Sequence, residues 1–423
     1  WGREEDEDNN NNNENIIQNK NNQYDLRISK GIGSRGYDKI RVSVISDSII
    51  SSDIFTYSKQ FQYRWTQNYL NTGIVTVKPG EKTPITIGSQ TFEVYIPPQG
   101  EGIRGILLGD PCFTSEFITC LYGREFDMLN HTIELLNAAN SHDDNNFWMI
   151  LGDNFYDQSG YPTTEWFSGL STQSKSKVMG SIPGNHDFWI NSSPSLWTKK
   201  DQLANGFMQM YGQDVIASIQ AEQSGSTTPY DFSHNPDSPA EATNIPPTTN
   251  FFWYYLLGNT AFIGYSGAHT YEETLPYLEE SCQWAQSVNP SNIVLLGHWN
   301  NPGYGCEDEM TVPSLYNELK SLPACAPIAS KMRYFMGHQH CNYVVENDVG
   351  FMVGGQGMSD FQCGGDFGIP VLDTTGGRFK VYFFPIQSHR GYTYYQDTLK
   401  CFRDNGISGC YHLAQVWSDT PLI

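Results

Sequence analysis

The sequence lacks any run of 18 or more apolar residues, so it predicts no transmembrane helix. Its densest apolar stretch, residues 251–265, is interrupted by Gly258, Asn259 and Gly264. Basic residues are also scarce: 25 Lys and Arg stand against 46 Asp and Glu, which gives a formal net charge of −21. Phosphate backbones and anionic membrane surfaces attract basic proteins, so we expect neither nucleic acid nor a membrane surface as a partner.

A C-x-x-C pair is absent as well, although the 423 residues include nine cysteines. A thiolate zinc site or a thioredoxin-type motif is therefore not indicated. The short spacings between Cys112 and Cys120 and between Cys401 and Cys410 instead predict local disulfides in an oxidising compartment. Because the number of cysteines is odd, at least one thiol is left unpaired or bridged to another chain.

Two glycosylation sequons, at Asn130 and Asn191, agree with passage through a secretory pathway. The sequence starts at Trp1 and not at Met, so we expect a processed mature chain from which any signal peptide has been removed. With the cysteine pattern, these features predict a secreted or extracellular protein, or one of a lysosome-like or vacuole-like compartment.

Composition divides the chain into three parts. Residues 1–23 are acidic and rich in Asn, which predicts a disordered tail. Residues 24–100 contain short strand candidates separated by Pro and Gly turns, and we interpret them as a β-rich domain or extension. Residues 101–423 form the third part, in which strand and helix patterns alternate in a motif-bearing α/β core, 103–360, followed by a C-terminal β-rich extension, 361–423.

Five short polar motifs follow strand-like runs of the core. They are Gly109-Asp110, Gly152-Asp153-Asn154-Phe155-Tyr156, Gly184-Asn185-His186-Asp187, Gly297-His298 and Gly337-His338-Gln339-His340. Each Gly allows a sharp turn off the strand, and ligand sites of α/β sheets lie beyond the carboxyl ends of strands. Carboxylate, phenol, amide and imidazole donors suit iron, manganese or zinc. The motifs therefore predict a metal site at one crevice.

The order of these motifs resembles that of the calcineurin-like metallophosphoesterases. Tyr156, three residues after Asp153, is similar to the pattern of the purple acid phosphatases, and the motifs of 151–156 and 337–343 look most like their tartrate-resistant, mammalian-type branch. The resemblance covers residues 103–360. It implies a four-layer α-β-β-α sandwich, to which the small N-terminal β-rich extension would be added.

The resemblance also implies a binuclear centre that holds a ferric ion and a divalent ion of iron, zinc or manganese. The implied ligands are Asp110, Tyr156 and His340 for the ferric ion, Asn185, His298 and His338 for the divalent ion, and Asp153 as a bridge. A metal hydroxide would attack a phosphate monoester, and His186 would bind the phosphate or protonate the leaving alkoxide. Asn154, His269 and Glu307 are candidates for contacts around these ligands.

The sequence departs from the family pattern at two places near the centre. Cys112 stands where the family usually has Gly, and it is either a further ligand or half of a disulfide with Cys120. The loop 299–310 lacks the further His of the mammalian-type enzymes and offers Glu307, Asp308 and Glu309 instead. Leaving-group protonation then rests mainly on His186.

Three functions are consistent with this pattern. The first is an acid phosphatase that hydrolyses small phosphate monoesters at an Fe(III)–divalent metal centre. A second is a catalytically weak or inactive structural or interaction protein on the same fold, with the N-terminal region or the unpaired cysteine joining it to a protein partner or to another copy. A third is a phosphodiesterase or nucleotide hydrolase.

Overall fold

A computed structural model describes residues 24–30, 36–55, 61–62, 69–113, 127–157, 161–187, 211, 251–354, 363, 366–388 and 393–422. The predicted tail, 1–23, lies outside these residues. So do residues 196–210, part of a stretch 196–211 whose sequence indicates a helix, and residues 223–250, which are rich in Ser, Thr, Pro and Asn. The domain boundaries set from composition remain predictions.

Strands occupy much of the described chain. In chain order they are β1 Asp25–Ser29, β2 Lys39–Ser46, β3 Phe61–Gln62, β4 Tyr69–Thr76, β5 Lys82–Ile87, β6 Gln90–Tyr95, β7 Arg104–Leu108, β8 Phe147–Leu151, β9 Val178–Ile182, β10 Trp253–Leu257, β11 Thr260–Gly264, β12 Asn292–Gly297, β13 Met332–Met336, β14 Tyr343–Glu346, β15 Gly350–Met352, β16 Phe367–Asp373, β17 Arg378–Gln387 and β18 Gln415–Pro421.

The helices fall mainly between the parallel strands. They are α1 Met128–Asn140, α2 Tyr161–Gly169, α3 Thr172–Lys175, α4 Tyr271–Val288, α5 Val312–Ser321 and α6 Tyr395–Asn405. Short 3₁₀ helices lie at Asp53–Phe55, Glu307–Glu309, Ala326–Lys331, Thr375–Gly377 and Ser408–Leu413. This alternation of parallel strands and helices is the α/β pattern that the sequence predicts.

Two large sheets carry the fold. The first has the strand order β18-β17-β16-β7-β8-β9-β1-β2-β4-β3, and the second has the order β10-β11-β12-β13-β15-β14. Strands β7, β8 and β9 are parallel, as are β11, β12, β13 and β15. Parallel strands place their carboxyl ends at one edge of the sheet, which is where ligands bind in such folds.

The apolar pattern of the central strands explains the layering. In β8 every residue is buried, with Trp148 and Ile150 packing among helices α1, α2 and α6, and Met149 packing toward the second sheet. A continuous apolar run is typical of a strand covered on both faces. Helices α4 and α5 cover the outer face of the second sheet through Leu278 and Leu315. The result is the predicted helix–sheet–sheet–helix sandwich.

The segments outside the motif-bearing core extend the first sheet at both sides. Strand β1 runs parallel to β9, with Ile28 opposite Val178, and β2 and β4 continue from it. At the other side β16 pairs antiparallel with β7, with Val371 opposite Ile106, and β17 and β18 follow. The pair β5–β6 forms a separate two-stranded sheet. Residues on either side of the core thus help to shield the strands that end in the motifs.

Disulfides link three parts of the described structure. They join Cys282 to Cys325, Cys341 to Cys363 and, as predicted, Cys401 to Cys410. Such bonds are typical of proteins that mature in an oxidising compartment. Among the helices of the described ranges, none is long and apolar enough to cross a membrane.

Candidate metal centre

The motif side chains follow the carboxyl ends of parallel strands in both sheets. Asp110 follows β7, Asp153 follows β8 and Asn185 follows β9, while His298 follows β12 and His338 follows β13. These strands end at the same side of the sandwich, so five loops from two sheets converge on one place. The motifs of the sequence predicted such a convergence at one crevice.

Left-handed backbone marks several of these loops. Asp110, Asp153, Tyr156, His338 and His340 have φ values of 52°, 51°, 52°, 76° and 54°. Residues other than glycine rarely hold this conformation unless their surroundings impose it, and such strain concentrates at functional sites. This backbone conformation lowers the stability of the fold and directs these side chains toward the inside of the cluster.

One set of donor atoms lies around His298. Atoms of Asp153, His298 and His338 that can bind a metal lie within 4.8 Å of one another. The Asn185 Oδ1 atom completes this set, 3.1 Å from His298 Nε2 and 2.9 Å from His338 Nδ1. The Nδ1 atom of His298 lies 2.9 Å from the Leu151 carbonyl, and by donating to it the ring leaves Nε2 free to bind a cation.

A second set of donor atoms lies around Asp110. Atoms of Asp110, Asp153 and His340 lie within 4.8 Å of one another. The Tyr156 hydroxyl is 2.6 Å from His340 Nε2 and 3.5 Å from Asp110 Oδ1. Asp153 belongs to both sets, which is the position expected of a bridging ligand. All seven implied ligands are thus brought together, in the two groups that the resemblance implied.

Burial couples the charges of this cluster to one another, and the charge of His298 holds the pKa of Asp153 below its usual range although burial opposes this. Burial and the neighbouring charge of Asp153 raise the pKa of Asp110, although the His298 charge opposes them. Burial opposes the charge of His298, yet Asp153 and Asp110 outweigh it and raise the pKa of that imidazole to about 9. Burial, reinforced by Asp153 and Asp110, raises the pKa of the Tyr156 phenol well above its usual range.

The donor set fits cations. Two buried carboxylates and a buried phenol are stabilised as anions only if positive charge lies beside them. The backbone leaves room for the carboxylate, because a Cβ at Gly184 would come within 2.3 Å of Asp153 Oδ1. Oxygen and imidazole donors without thiolate suit iron, zinc or manganese. The chemistry of the residues therefore agrees with a pair of such ions.

His186 lies beside these donors. Its backbone N–H donates to Asp153 Oδ1 at 2.7 Å, and its ring centroid is 4.6 Å from that of Tyr156. Its Nδ1 atom is buried and has no hydrogen-bond partner among the described residues. The side chain is half-buried, so it can face both the cluster and an incoming ligand.

Asp187 received no role in the sequence analysis, yet it joins two of the ligand loops. Its carboxylate accepts from the backbone N–H of Gly184 at 2.6 Å, and from the backbone N–H and side-chain amide of Asn154 at 2.9 Å each. Asn154 also holds the end of β9, since its amide donates to the Ile182 carbonyl at 3.1 Å. Asn154 therefore bonds to Asp187, and its predicted role around the ligands stays a prediction. In the sequence, the signal for Asp187 was its place as the fourth residue of the motif Gly-Asn-His-Asp.

Replacing Asp187 by Ala is expected to weaken metal binding about 10- to 100-fold, because the loops that carry Asp153 and Asn185 lose their common anchor. Calorimetric titration of the metal-free protein with Zn²⁺ measures the change in affinity. Asp157→Ala is the matched control: this buried carboxylate accepts instead from the backbone N–H and hydroxyl of Thr163, at 3.0 and 2.6 Å. Equal affinities in both variants would contradict the anchoring role.

Other predicted site residues lie apart from the ligands. His269 is half-buried and packs against the Phe251 ring, with centroids 4.6 Å apart, and it belongs to neither donor set. Glu307 is exposed and begins a short 3₁₀ helix. Cys112 is disulfide-bonded and thus is not a metal ligand, while its predicted partner Cys120 lies outside the described residues. Neither His269 nor Glu307 has a contact with a ligand side chain in the described ranges.

The structure describes one of the two glycosylation candidates and the cysteine that forms no disulfide. Asn130 is exposed in the first turn of α1, where its amide donates to Asp127 at 2.6 Å. Asn191 lies outside the described residues. Cys306 forms no disulfide and is half-buried, and burial together with Glu307 and Glu309 raises its pKa to about 12. A protein partner bound through this thiol or the N-terminal region remains a prediction.

Comparison with known proteins places the fold. The structure of purple acid phosphatase PPD1 from yellow lupin (Lupinus luteus) seeds matches 89% of this chain and 75% of that chain, with a TM-score of 0.53 and 14% identity. A protein described as a 5′-nucleotidase from Staphylococcus aureus matches 76% of this chain and 54% of that chain, with 13% identity and a TM-score of 0.29. Vacuolar protein sorting 29 from Cryptosporidium parvum matches 68% of this chain and 93% of that chain, with 13% identity and a TM-score of 0.25. These two TM-scores are too low to indicate a shared fold.

Sequence comparison places the family. No curated protein sequence matches this chain significantly. The sequence model of the calcineurin-like phosphoesterase family matches residues 106–342, more than half of the chain, and this range contains all seven residues that the resemblance implied as ligands. This chain therefore belongs to the calcineurin-like phosphoesterase family.

Proposed function

We propose that this protein is an acid phosphatase of the purple acid phosphatase type, which hydrolyses small phosphate monoesters with a ferric and a divalent cation. The observation that supports this most directly is the sharing of Asp153 by two donor sets, one of which contains the phenol of Tyr156. A phenolate and carboxylates suit a trivalent ion, whereas a neutral amide and imidazoles suit a divalent one. The residue types resemble those of the mammalian-type branch, to which we assign the chain as part of the proposal.

In this proposal, Asp110, Tyr156 and His340 hold one cation, Asn185, His298 and His338 hold the other, and Asp153 holds both. When bound, the two cations would polarise the phosphoryl oxygens and lower the pKa of the attacking water. The proposal also includes the compartment. The disulfides and sequons fit a secreted protein or one of a lysosome-like or vacuole-like compartment.

Residues of this chain would then orient the ester and transfer a proton to its leaving group. His186 is fixed at its backbone by Asp153 and carries an imidazole that can donate to the leaving alkoxide. His298 is fixed by the Leu151 carbonyl, so its ring cannot rotate away from the cluster. The buried indole of Trp299 packs edge-on against His298, with centroids 5.1 Å apart, and excludes water from that side.

Metal content, the visible spectrum and turnover together test the proposal. We expect about two metals per chain, one of them iron, with a tyrosinate-to-ferric absorption band and faster hydrolysis of a phenyl monoester than of a diphenyl diester at acidic pH. Tyr156→Phe should remove the band. Tyr265→Phe is the matched control, because this buried phenol donates to the Met310 carbonyl at 2.9 Å and not to a ligand.

Two outcomes would overturn the proposal. Protein that contains no metal and binds none on reconstitution would favour the structural or interaction role. Metal-loaded protein that hydrolyses the diester faster than the monoester would favour a phosphodiesterase or nucleotide hydrolase.

A further inference from the structure

Tyr304 lies at the candidate centre without being one of its ligands. Its ring centroid is 5.5 Å from that of His338, with an angle of 61° between the ring planes. The residue is 54% exposed, the highest value among the exposed tyrosines of the described chain. An aromatic ring that packs against an implied ligand and belongs to a residue more than half exposed is available to a bound molecule.

The loop around Tyr304 holds the ring in place through a strained backbone. Gly303, Tyr304 and Gly305 have φ values of 113°, 49° and 85°. A left-handed aromatic residue is an outlier, and this conformation persists only where the surroundings impose it. Here the buried indole of Trp299 donates to the Tyr304 carbonyl at 3.2 Å, and the Cys306 N–H donates to the Gly303 carbonyl at 3.0 Å.

The histidines show which side of the cluster is open. Asp110, Asp153 and His298 are buried, whereas His186, His338 and His340 are only half-buried. Within the described part of the cluster, these three imidazoles line the open side, so we expect a substrate to approach over them. Because Tyr304 contacts His338, the part of the substrate that points out of the centre passes beside the Tyr304 ring.

Charge in the same loops limits what that part of the substrate can be. The loop segments 109–113, 151–157, 183–187, 297–310 and 337–342 contain no Lys or Arg. Beside Tyr304, the exposed Glu307, Asp308 and Glu309 add negative charge. The described loops thus offer no cation to a second or third phosphate, and they repel a polyanionic leaving group.

We propose that Tyr304 determines substrate specificity by stacking on a flat, uncharged aromatic leaving group, so that aryl monophosphates are preferred over alkyl monophosphates and over nucleoside di- and triphosphates. This inference rests on the proposed function and names the substrate class of the same site. Tyr304 takes no part in the proton transfers. Its ring positions the leaving group next to His338 while the ester bond to phosphorus is cleaved by water, releasing phosphate and a phenol.

Two measurements on the metal-loaded protein test this role. The first compares kcat/KM for phenyl phosphate and ethyl phosphate in wild type, Tyr304→Ala and Tyr304→Phe. The second compares binding of phenylphosphonate and methylphosphonate by calorimetry, which needs no turnover. Tyr304→Ala should reduce the phenyl-over-alkyl preference about three- to tenfold in both assays, the size expected of one aromatic contact, while Tyr304→Phe keeps the preference. Tyr394→Ala, an exposed tyrosine before α6, should change neither ratio.

The outcomes separate this inference from the proposed function. Equal losses for phenyl and ethyl substrates in Tyr304→Ala, or no loss for either, would overturn the specificity role and leave the phosphatase standing. A metal-loaded wild type that hydrolyses neither ester would overturn the proposed function, and the phosphonate ratio would then decide the role of Tyr304. A wild type that binds both phosphonates equally well would overturn that role.

Discussion

Replacing Asp153 by Asn is expected to lower monoester turnover by at least about 10³-fold and to reduce the metal content of the same preparation. The reason is geometric, because Asp153 is the carboxylate common to both donor sets. Asparagine keeps the size of the side chain but removes the charge, so one neutral oxygen must serve two cations. Elemental analysis and turnover on phenyl phosphate, measured on one sample, check both effects.

Asp157→Asn is the matched control for this loss. Asp157 is a buried carboxylate in the same loop, four residues further on, and its hydrogen bonds go to Thr163 at the start of α2. This variant should keep its metals and turn over within a fewfold of wild type. Retained activity in Asp153→Asn, with circular dichroism showing both variants folded, would rule out a bridging ligand at this position.

Replacing Asp373 by Asn should destabilise the fold by up to about 3 kcal/mol, because the buried guanidinium of Arg104 then keeps only the carboxylate of Asp144, 3.5 Å away, as a charged partner. Asp373 is fully buried, and its Oδ2 atom accepts from Arg104 Nε and Nη2 at 3.1 and 3.0 Å and from the Tyr411 hydroxyl. The pair joins β7 to β16 at the start of the strand that leads to Asp110. Urea unfolding followed by tryptophan fluorescence gives the free-energy difference.

The same carboxylate predicts how stability depends on pH. Burial raises the pKa of Asp373, but the charge of Arg104 and the hydrogen bonds from Thr375 and Tyr411 outweigh it and hold the pKa below 3.8. A depressed folded pKa stabilises the protein above the unfolded pKa, so this contribution is complete above about pH 5 and is lost as pH falls through the folded value. Asp373→Asn should therefore lose less stability than wild type on acidification below about pH 4.

An exposed ion pair in neighbouring strands is the control. Arg378 and Asp419 lie 2.5 Å apart with side chains 43% and 44% exposed, so Asp419→Asn should cost less than about 1 kcal/mol. If the two variants were equally stable, the buried Arg104 pair would contribute no more than a surface contact.

The residues of the candidate centre carry local signals in the sequence, and the family resemblance implied which of them would be ligands. A glycine followed by a polar residue after a strand-like run marks a strand that ends in a turn, and all five motifs of the candidate centre have this pattern. The apolar runs 147–151 and 178–182 in the sequence likewise coincide with β8, Phe147–Leu151, and β9, Val178–Ile182. Short-range patterns of this kind need no knowledge of which strands become neighbours.

Other features depend on contacts between distant residues, so the sequence could not predict them. The strands before residue 100 carried the pattern of a β-rich extension, but only pairing of Ile28 with Val178 places β1 in the first sheet. Asp187 needed the position of Asn154, 33 residues earlier, before its role was visible. Tyr304 had one local signal, its two flanking glycines, whereas its contact with His338 arises from the approach of two loops.

The order of strands in the first sheet has a consequence for how the chain folds. Its central strand β7 pairs with β16, and Ile106 lies opposite Val371, so this closure joins residues more than 260 positions apart. Long-range closures of this kind slow folding, and until they form the unpaired edge of β7 is open to association with other chains. All five loops that carry the ligands precede β16 along the chain. On a nascent polypeptide the metal-binding loops would therefore leave the ribosome before the strand that protects this edge, and protection from aggregation, rather than assembly of the centre, would be the late event in folding.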